Sequence, residues 1–403
     1  AAIIGAIVAI ARPPQPALGP RFTAGRARVA STADSVLRAH GADPAGWRRL
    51  TSNGTDTVAA WPSFLREQKL IARAQQFAAS YVPPAWWIVR YVHSDGATAQ
   101  RRIEEWRIRL WPDGRPLDAR HIIADSAHRT TADPADVRRI ALATLAREGV
   151  NTATLQESEF QETARPSRKD VTVRYADTAV TLPAGAAARA WVQVAGDEPL
   201  LARRGVELPE VFLRTDRERL TNRAMIVGLC GLLLLGGIVT GAIVVTRRRP
   251  SLLTDGLLDR RGTLMLVGAV AALALVDRLN GLPSSLVSYD TSEPWSRFIA
   301  STAAGSVVVV VVGLFVLGVW LALGALRRRV GIPMLPSAAS GSASGDMLVA
   351  GVGLGAIVFA MVRLEALVQL SRVPHLPHVP ATLLDRALPW LGEVPGLPSS
   401  AMM

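Results

Sequence analysis

The sequence predicts an α+β extracytoplasmic domain joined to an α-helical multi-span transmembrane bundle. Three observations lead there. Met225–Val245 runs without a charge and is followed by Arg247-Arg248-Arg249; roughly 20 such residues cross a hydrocarbon core of about 30 Å. The chain beyond it is dominated by apolar segments separated by arginine clusters and short polar links. The chain before it is mixed, with stretches such as Trp106-Arg107-Ile108-Arg109-Leu110 in which apolar and charged residues alternate. That period of two belongs to a half-buried strand.

Composition averages two solvents. The 403 residues carry a formal charge of +12 and are 49% hydrophobic. Basic excess is an electrostatic footprint of nucleic-acid binding, but the sharpest clusters, Arg247–Arg249, Arg260-Arg261 and Arg327–Arg329, flank apolar runs. Arg247, Arg248 and Arg249, with Arg327, Arg328 and Arg329, are read as topology determinants that hold cytoplasmic ends and contact membrane lipid. Nucleic acid is not expected as a partner. The single cysteine, Cys230, lies inside Met225–Val245, so no internal disulfide can form.

Taken in order, Ala1–Ala11 reads as the end of an N-terminal transmembrane helix, with the apolar part of a signal peptide as the alternative. Arg12–Pro20 is a proline-rich exit, because proline cannot continue a helix. Residues 12–222 form the extracytoplasmic α+β domain and contain a rough internal repeat. Its first copy has a helix near Phe64–Ser80, strands around Ala85–His93 and Ile103–Trp111, and a turn at Pro112-Asp113-Gly114. The second has a helix near Pro134–Glu148 opened by Asp133 as N-cap, strands around Val171–Tyr175 and Ala188–Ala195, and a turn at Gly196-Asp197. A further helix, Thr32–His40, precedes the first copy, and Leu208–Leu213 leads out of the second. This helix–strand–strand order is similar to the PepSY-like modules of exported bacterial proteins.

Residues 223–246 are the stalk transmembrane helix, and residues 247–370 hold further spans at 263–282, 298–326 and 347–370. Residues 371–403 form an extracytoplasmic tail whose Ala381–Leu391 suits a short interfacial helix. The arginine clusters place the large domain outside and the protein, multi-pass, in a bacterial inner membrane. Gly237-x-x-x-Gly241 and Gly351-x-x-x-Gly355 are candidate helix-packing surfaces, since glycines four apart let two backbones approach. Arg363 and Glu365 are ionisable groups at membrane depth, which are costly and often functional. Two apart on a helix, they point about 200° away from each other and cannot pair directly.

Candidate chemistry is thin. Glu104-Glu105 with Arg109 matches a pattern that supplies the general base in some intramembrane proteases, but alternation makes it a solvated strand face. His375-Leu376-Pro377-His378 has two imidazoles near each other, but proline breaks the helix that would align them on a metal. His40, His93, His121 and His128 are scattered and read as ordinary surface or partner-bound residues. No phosphate-cradling glycine loop, nucleophile elbow, haem motif or calcium loop is present, so no cofactor is expected.

Leu279–Thr291, with its Asn280-Gly281-Leu282-Pro283 turn and Ser288-Tyr289-Asp290-Thr291, resembles the CPBP family, the CAAX-processing and bacteriocin-processing bacterial membrane proteases. Ala387–Gly392 resembles the segment preceding that family's catalytic helices. The resemblance implies an N-terminal helix, a PepSY-like region, a stalk helix and a bundle. The family's paired glutamates and histidine helices have no counterpart in this sequence. Three functions follow from these readings. The first is a non-catalytic accessory subunit presenting its α+β domain to other membrane protein subunits, in a host such as a respiratory or photosynthetic assembly. The second is the N-terminal part of a glutamic intramembrane protease, and the third an anchored sensor or inhibitor domain.

Overall fold

The computed structural model describes residues 20–55, 60–93, 99–219 and 282–329, with scattered positions between 221 and 275. Helix α1 (Arg26–Ala39) leads into strand β1 (Arg48–Thr55), helices α2 (Ala60–Glu67) and α3 (Ile71–Ser80), and strand β2 (Ala85–Val92). The short helix α4 (Ala99–Ile103) is followed by β3 (Glu105–Leu110) and β4 (Pro116–Ile122). Helix α5 (Pro134–Arg147) then opens a run of β5 (Leu155–Arg165), β6 (Arg168–Thr181), β7 (Ala187–Ala195) and β8 (Glu198–Glu207). Residues 210–219 are also helical, and helices α6 (Leu282–Val287) and α7 (Trp295–Arg329) complete the described chain.

All eight strands pair antiparallel in one sheet, ordered β1-β2-β3-β4-β8-β7-β6-β5. The order is two four-stranded meanders placed back to back, which an approximate two-fold normal to the sheet relates. The repeat extends to the helices and their caps. Helices α1 and α5 are each 14 residues long. Val29, Ala33 and Leu37 on one, and Val137, Ala141 and Leu145 on the other, recur every four residues and so lie in a single buried stripe. Each helix ends in a left-handed glycine, Gly41 at φ 83° and Gly149 at φ 74°. This conformation closes a helix at little steric cost only when no Cβ is present. Asp43 and Asn151 then accept from the backbone N–H two residues on, at 3.1 Å in both cases, and start matching single turns of 3₁₀ helix.

The cores follow from the alternation. Trp87, Val89, Tyr91, Ile108 and Leu110 present one face of the first meander to α1. Val171, Val173, Val192 and Val194 present the same face of the second to α5. Each such large side chain contributes about 1.5–3 kcal/mol on burial. Helices α2 and α3, with Tyr81 just beyond α3, bring Trp61, Phe64, Phe77 and Tyr81 onto Ala186 and onto Ala188 of β7. One sheet face is therefore covered by α1, α2, α3 and α5. The other carries the intervening polar residues, with α6 and the start of α7 packed on its β1–β2 edge and the rest uncovered among the described residues.

Several expectations are corrected. The described fold is one antiparallel eight-stranded sheet with a few helices, and the expected α-helical multi-span transmembrane bundle is not evident among the described residues. The helix paired with the first meander is α1, while α2 and α3 are an insertion between β1 and β2. The second copy has a tight hairpin at that place, so only strand pairing could reveal the insertion. Among the described residues, no helix is long and apolar enough to cross a membrane. The membrane and transmembrane assignments and the inner-membrane localisation are thus not supported. The first turn of α7 includes Arg297, and its aromatics pack on the sheet. Trp295 and Phe298 join Leu286 and Val287 around Tyr289, Leu50 and Val92.

Candidate functional site

The uncovered face of the sheet is built from the residues that alternate with the core. On β2 they are Trp86, Ile88 and Arg90, on β3 Glu105, Arg107 and Arg109, and on β4 Asp118 and Arg120. Across the seam, Arg120 faces Leu201 of β8, which puts Arg203 diagonally beside it, and Arg203 faces Trp191 of β7. This face therefore gathers guanidiniums from β2, β3 and β4 of the first meander and from β8 of the second.

Most of these cations are paired. Arg90 donates to Glu105 and to the carbonyls of Val287 and Tyr289, the latter at 2.8 Å. Glu105 also accepts from Arg107, and its side chain is 1% exposed. Arg109 donates to Asp118 through Nε at 2.8 and 2.9 Å and through Nη2, and lies 4.6 Å from the Trp86 ring centre. Further along the face, Arg174 meets Glu159 at 2.8 Å and Arg189 meets Glu207 at 2.5 Å. Arg120 differs. It lies directly opposite Arg107, and among the described residues it makes no hydrogen bond or ion pair. Burial first, and the Arg107 charge second, hold Arg120 below the ordinary arginine range. Arg203 is lowered by burial and then by Arg109, and its Nε is 3.6 Å from Asp118 and buried without a hydrogen bond.

A second cluster joins the meanders on the helix-covered face. His121 of β4 stacks on Trp106 with ring centres 4.1 Å apart and an interplanar angle of 6°. Its Nδ1 is 2.5 Å from Glu198 at the start of β8, and its Nε2 is 3.1 Å from Glu104. Arg129 donates to the other oxygen of Glu198 at 2.6 Å, and His93 lies 3.5 Å from Glu104. Burial alone would lower His121, but a carboxylate on each ring nitrogen favours the imidazolium and its pKa is raised. Burial likewise opposes ionisation of Glu198, yet the hydrogen bonds from His121 and Arg129 prevail and bring it to about 2. Glu104 is lowered chiefly by its hydrogen bond to His121. The cluster is saturated by its own members and fastens the seam. Among the described residues no group of histidines and carboxylates is arranged to hold a metal.

The residues singled out in the sequence fall elsewhere. Gly237, Gly241, Gly351, Gly355, Arg363, Glu365, Arg248 and Arg249 lie outside the described residues, as do His375 and His378. Arg247 is helical and exposed, and residues 327–329 are the last of α7. Asp133 occupies the N-cap of α5 as expected, but its side chain makes no capping bond. Glu105 is not on a solvated face, since it is enclosed by Arg90 and Arg107. His40, His93 and His121, read as scattered, converge on the seam. The alternation within β3 showed that Arg107 and Arg109 share a face. Only strand register brings Arg120 and Arg203 to them.

No protein-family model, curated protein or solved structure matches this chain, so its PepSY-like and CPBP-like resemblances rest on the residues that suggested them.

Proposed function

We propose that the chain is a non-catalytic accessory protein that uses the uncovered sheet face to bind an acidic protein partner. The observation that carries this reading is the charge of the seam. Arg90, Arg107, Arg109, Arg120 and Arg203 are five cations against the two carboxylates Glu105 and Asp118, which leaves a surplus of three. Like charges placed directly opposite on a sheet are destabilising. A face that carries them without neutralisation is suited to a partner that brings the missing negative charge. The rigid, doubly cored sheet supports such a role because the side chains are positioned before binding, which lowers the entropic cost of association. Electrostatic complementarity of this kind selects partners and speeds encounter.

The test is binding of a fluorescent oligoglutamate peptide to the full chain across a salt series. Binding should weaken as salt rises, and the double variant Arg107→Gln/Arg203→Gln should raise Kd at least tenfold. The variant Arg138→Gln, whose cation is paired with Glu157 at 2.8 Å, should bind like the parent. No binding by the parent, or equal binding by the double variant, would sink the reading.

A further inference from the structure

We propose that Arg107, Arg120 and Arg203 form an oxyanion site on the uncovered sheet face that takes a phosphate-monoester dianion. The inference rests on the same face being the binding surface, and it names the group recognised there. Arg107 and Arg120 are direct cross-strand partners, and Arg203 is diagonal to Arg120. Direct partners stand about 5 Å apart and diagonal ones about 7–8 Å, within the reach of arginine side chains converging on one ligand.

The three cations differ in how they are engaged. Glu105 serves Arg90 as well as Arg107, and Asp118 serves Arg109 through three contacts before it meets Arg203. Arg120 is left with no acceptor among the described residues, and the Nε of Arg203 is buried without one. A guanidinium has five donors in a planar fork and stays charged, so such groups recognise oxyanions with defined geometry. A carboxylate would bring one negative charge and two oxygens. A phosphate monoester brings roughly two charges and three terminal oxygens, a closer match to three guanidiniums with three surplus charges. The Arg107–Arg120 repulsion that the free protein carries would become attraction on binding.

The same chemistry could come from a free phosphate or from a phosphorylated side chain of a partner. The full chain is therefore titrated by calorimetry at constant ionic strength with inorganic phosphate, with a short phosphoserine peptide and with its unphosphorylated form. Phosphate should bind and raise the thermal midpoint above that of a chloride control. Arg120→Gln should weaken phosphate binding at least tenfold. Without phosphate, Arg120→Gln should melt no lower than the parent, because it removes a like charge. A phosphopeptide binding at least tenfold tighter than phosphate assigns the source to a partner, and equal affinity assigns it to a free ligand. Equal phosphate binding by parent and Arg120→Gln overturns the proposal, as does a matching response to chloride. A phosphate-free Arg120→Gln that melts lower or fails to fold overturns it too, since Arg120 would then be structural. If oligoglutamate binds in a manner sensitive to the Arg107→Gln/Arg203→Gln change while phosphate does not bind, the oxyanion site fails and the acidic-partner reading stands. If neither binds, both fail.

Discussion

His40, which ends the first repeat's helix, lies 4.0 Å from Glu148, which ends the second's. The two occupy the same place in each half, and the two-fold arrangement brings them together over the seam. Their separation suits an ion pair, but their titration speaks against one. Burial, then Arg147, lowers His40, while burial, then Asp118, raises Glu148 to about 7. Both shifts favour the neutral forms, so desolvation outweighs mutual attraction here.

Glu148→Gln should therefore stabilise the protein at high pH. The folded pKa of about 7 exceeds the ordinary 4.5, so the favourable contribution of protonated Glu148 is present below 4.5 and is lost as pH rises to 7. The variant should match the parent at pH 4 and exceed it by about 2–3 kcal/mol at pH 8. Urea unfolding at both pH values reads this out. A variant less stable at pH 8 would show that the carboxylate is engaged as an anion.

His121→Asn should cost stability in a defined pH window. His121 has a raised folded pKa, so its contribution is full below 6.5 and is lost as pH climbs through the folded value. Glu198 is depressed to about 2, so its share is present above 4.5 and fades as pH falls toward 2. The deficit of the variant should peak between these limits, at about 1–3 kcal/mol. Unfolding midpoints at pH 3, 5.5 and 9 test it, and a deficit that does not vary with pH counts against the imidazolium.

Gly41→Ala and Gly149→Ala should destabilise by similar amounts, about 1 kcal/mol each. At both positions a Cβ would meet nothing within 4 Å, so the cost comes from the positive φ alone. Chemical denaturation of the two variants compares them directly. A large inequality would mean that the repeated caps are not equivalent.

Tyr289→Ala should release the segment from α6 to the start of α7 and leave the sheet intact. Tyr289 is 2% exposed between Leu50, Trp295 and Phe298, and its hydroxyl donates to the Glu293 carbonyl at 2.6 Å. Removing a buried aromatic costs about 3–5 kcal/mol, here borne by docking of this segment. Hydrogen exchange should rise over residues 286–298 and stay unchanged in β6 and β7. Unchanged exchange at 286–298 would show that the segment is held by other contacts.

Local patterns were legible wherever one residue's fate depends on its chain neighbours. Alternation in β3 and the run of Ala188–Ala195 marked strands, and Pro112–Gly114 and Gly196-Asp197 marked the turns that join β3 to β4 and β7 to β8. The second repeat's helix, opened by Asp133 and Pro134, was also readable. What the sequence alone determined was thus the set of faces each element would present, because side-chain period follows from backbone geometry. Which faces meet was decided by tertiary structure. Strand order joined β4 to β8, so that Arg120 came beside Arg203, His121 beside Glu198, and His40 beside Glu148. Antiparallel register also enclosed Glu105 between Arg90 and Arg107, although alternation by itself had assigned that face to solvent. Burial and charge crowding depend on such long-range neighbours, and no spacing along the chain encodes them.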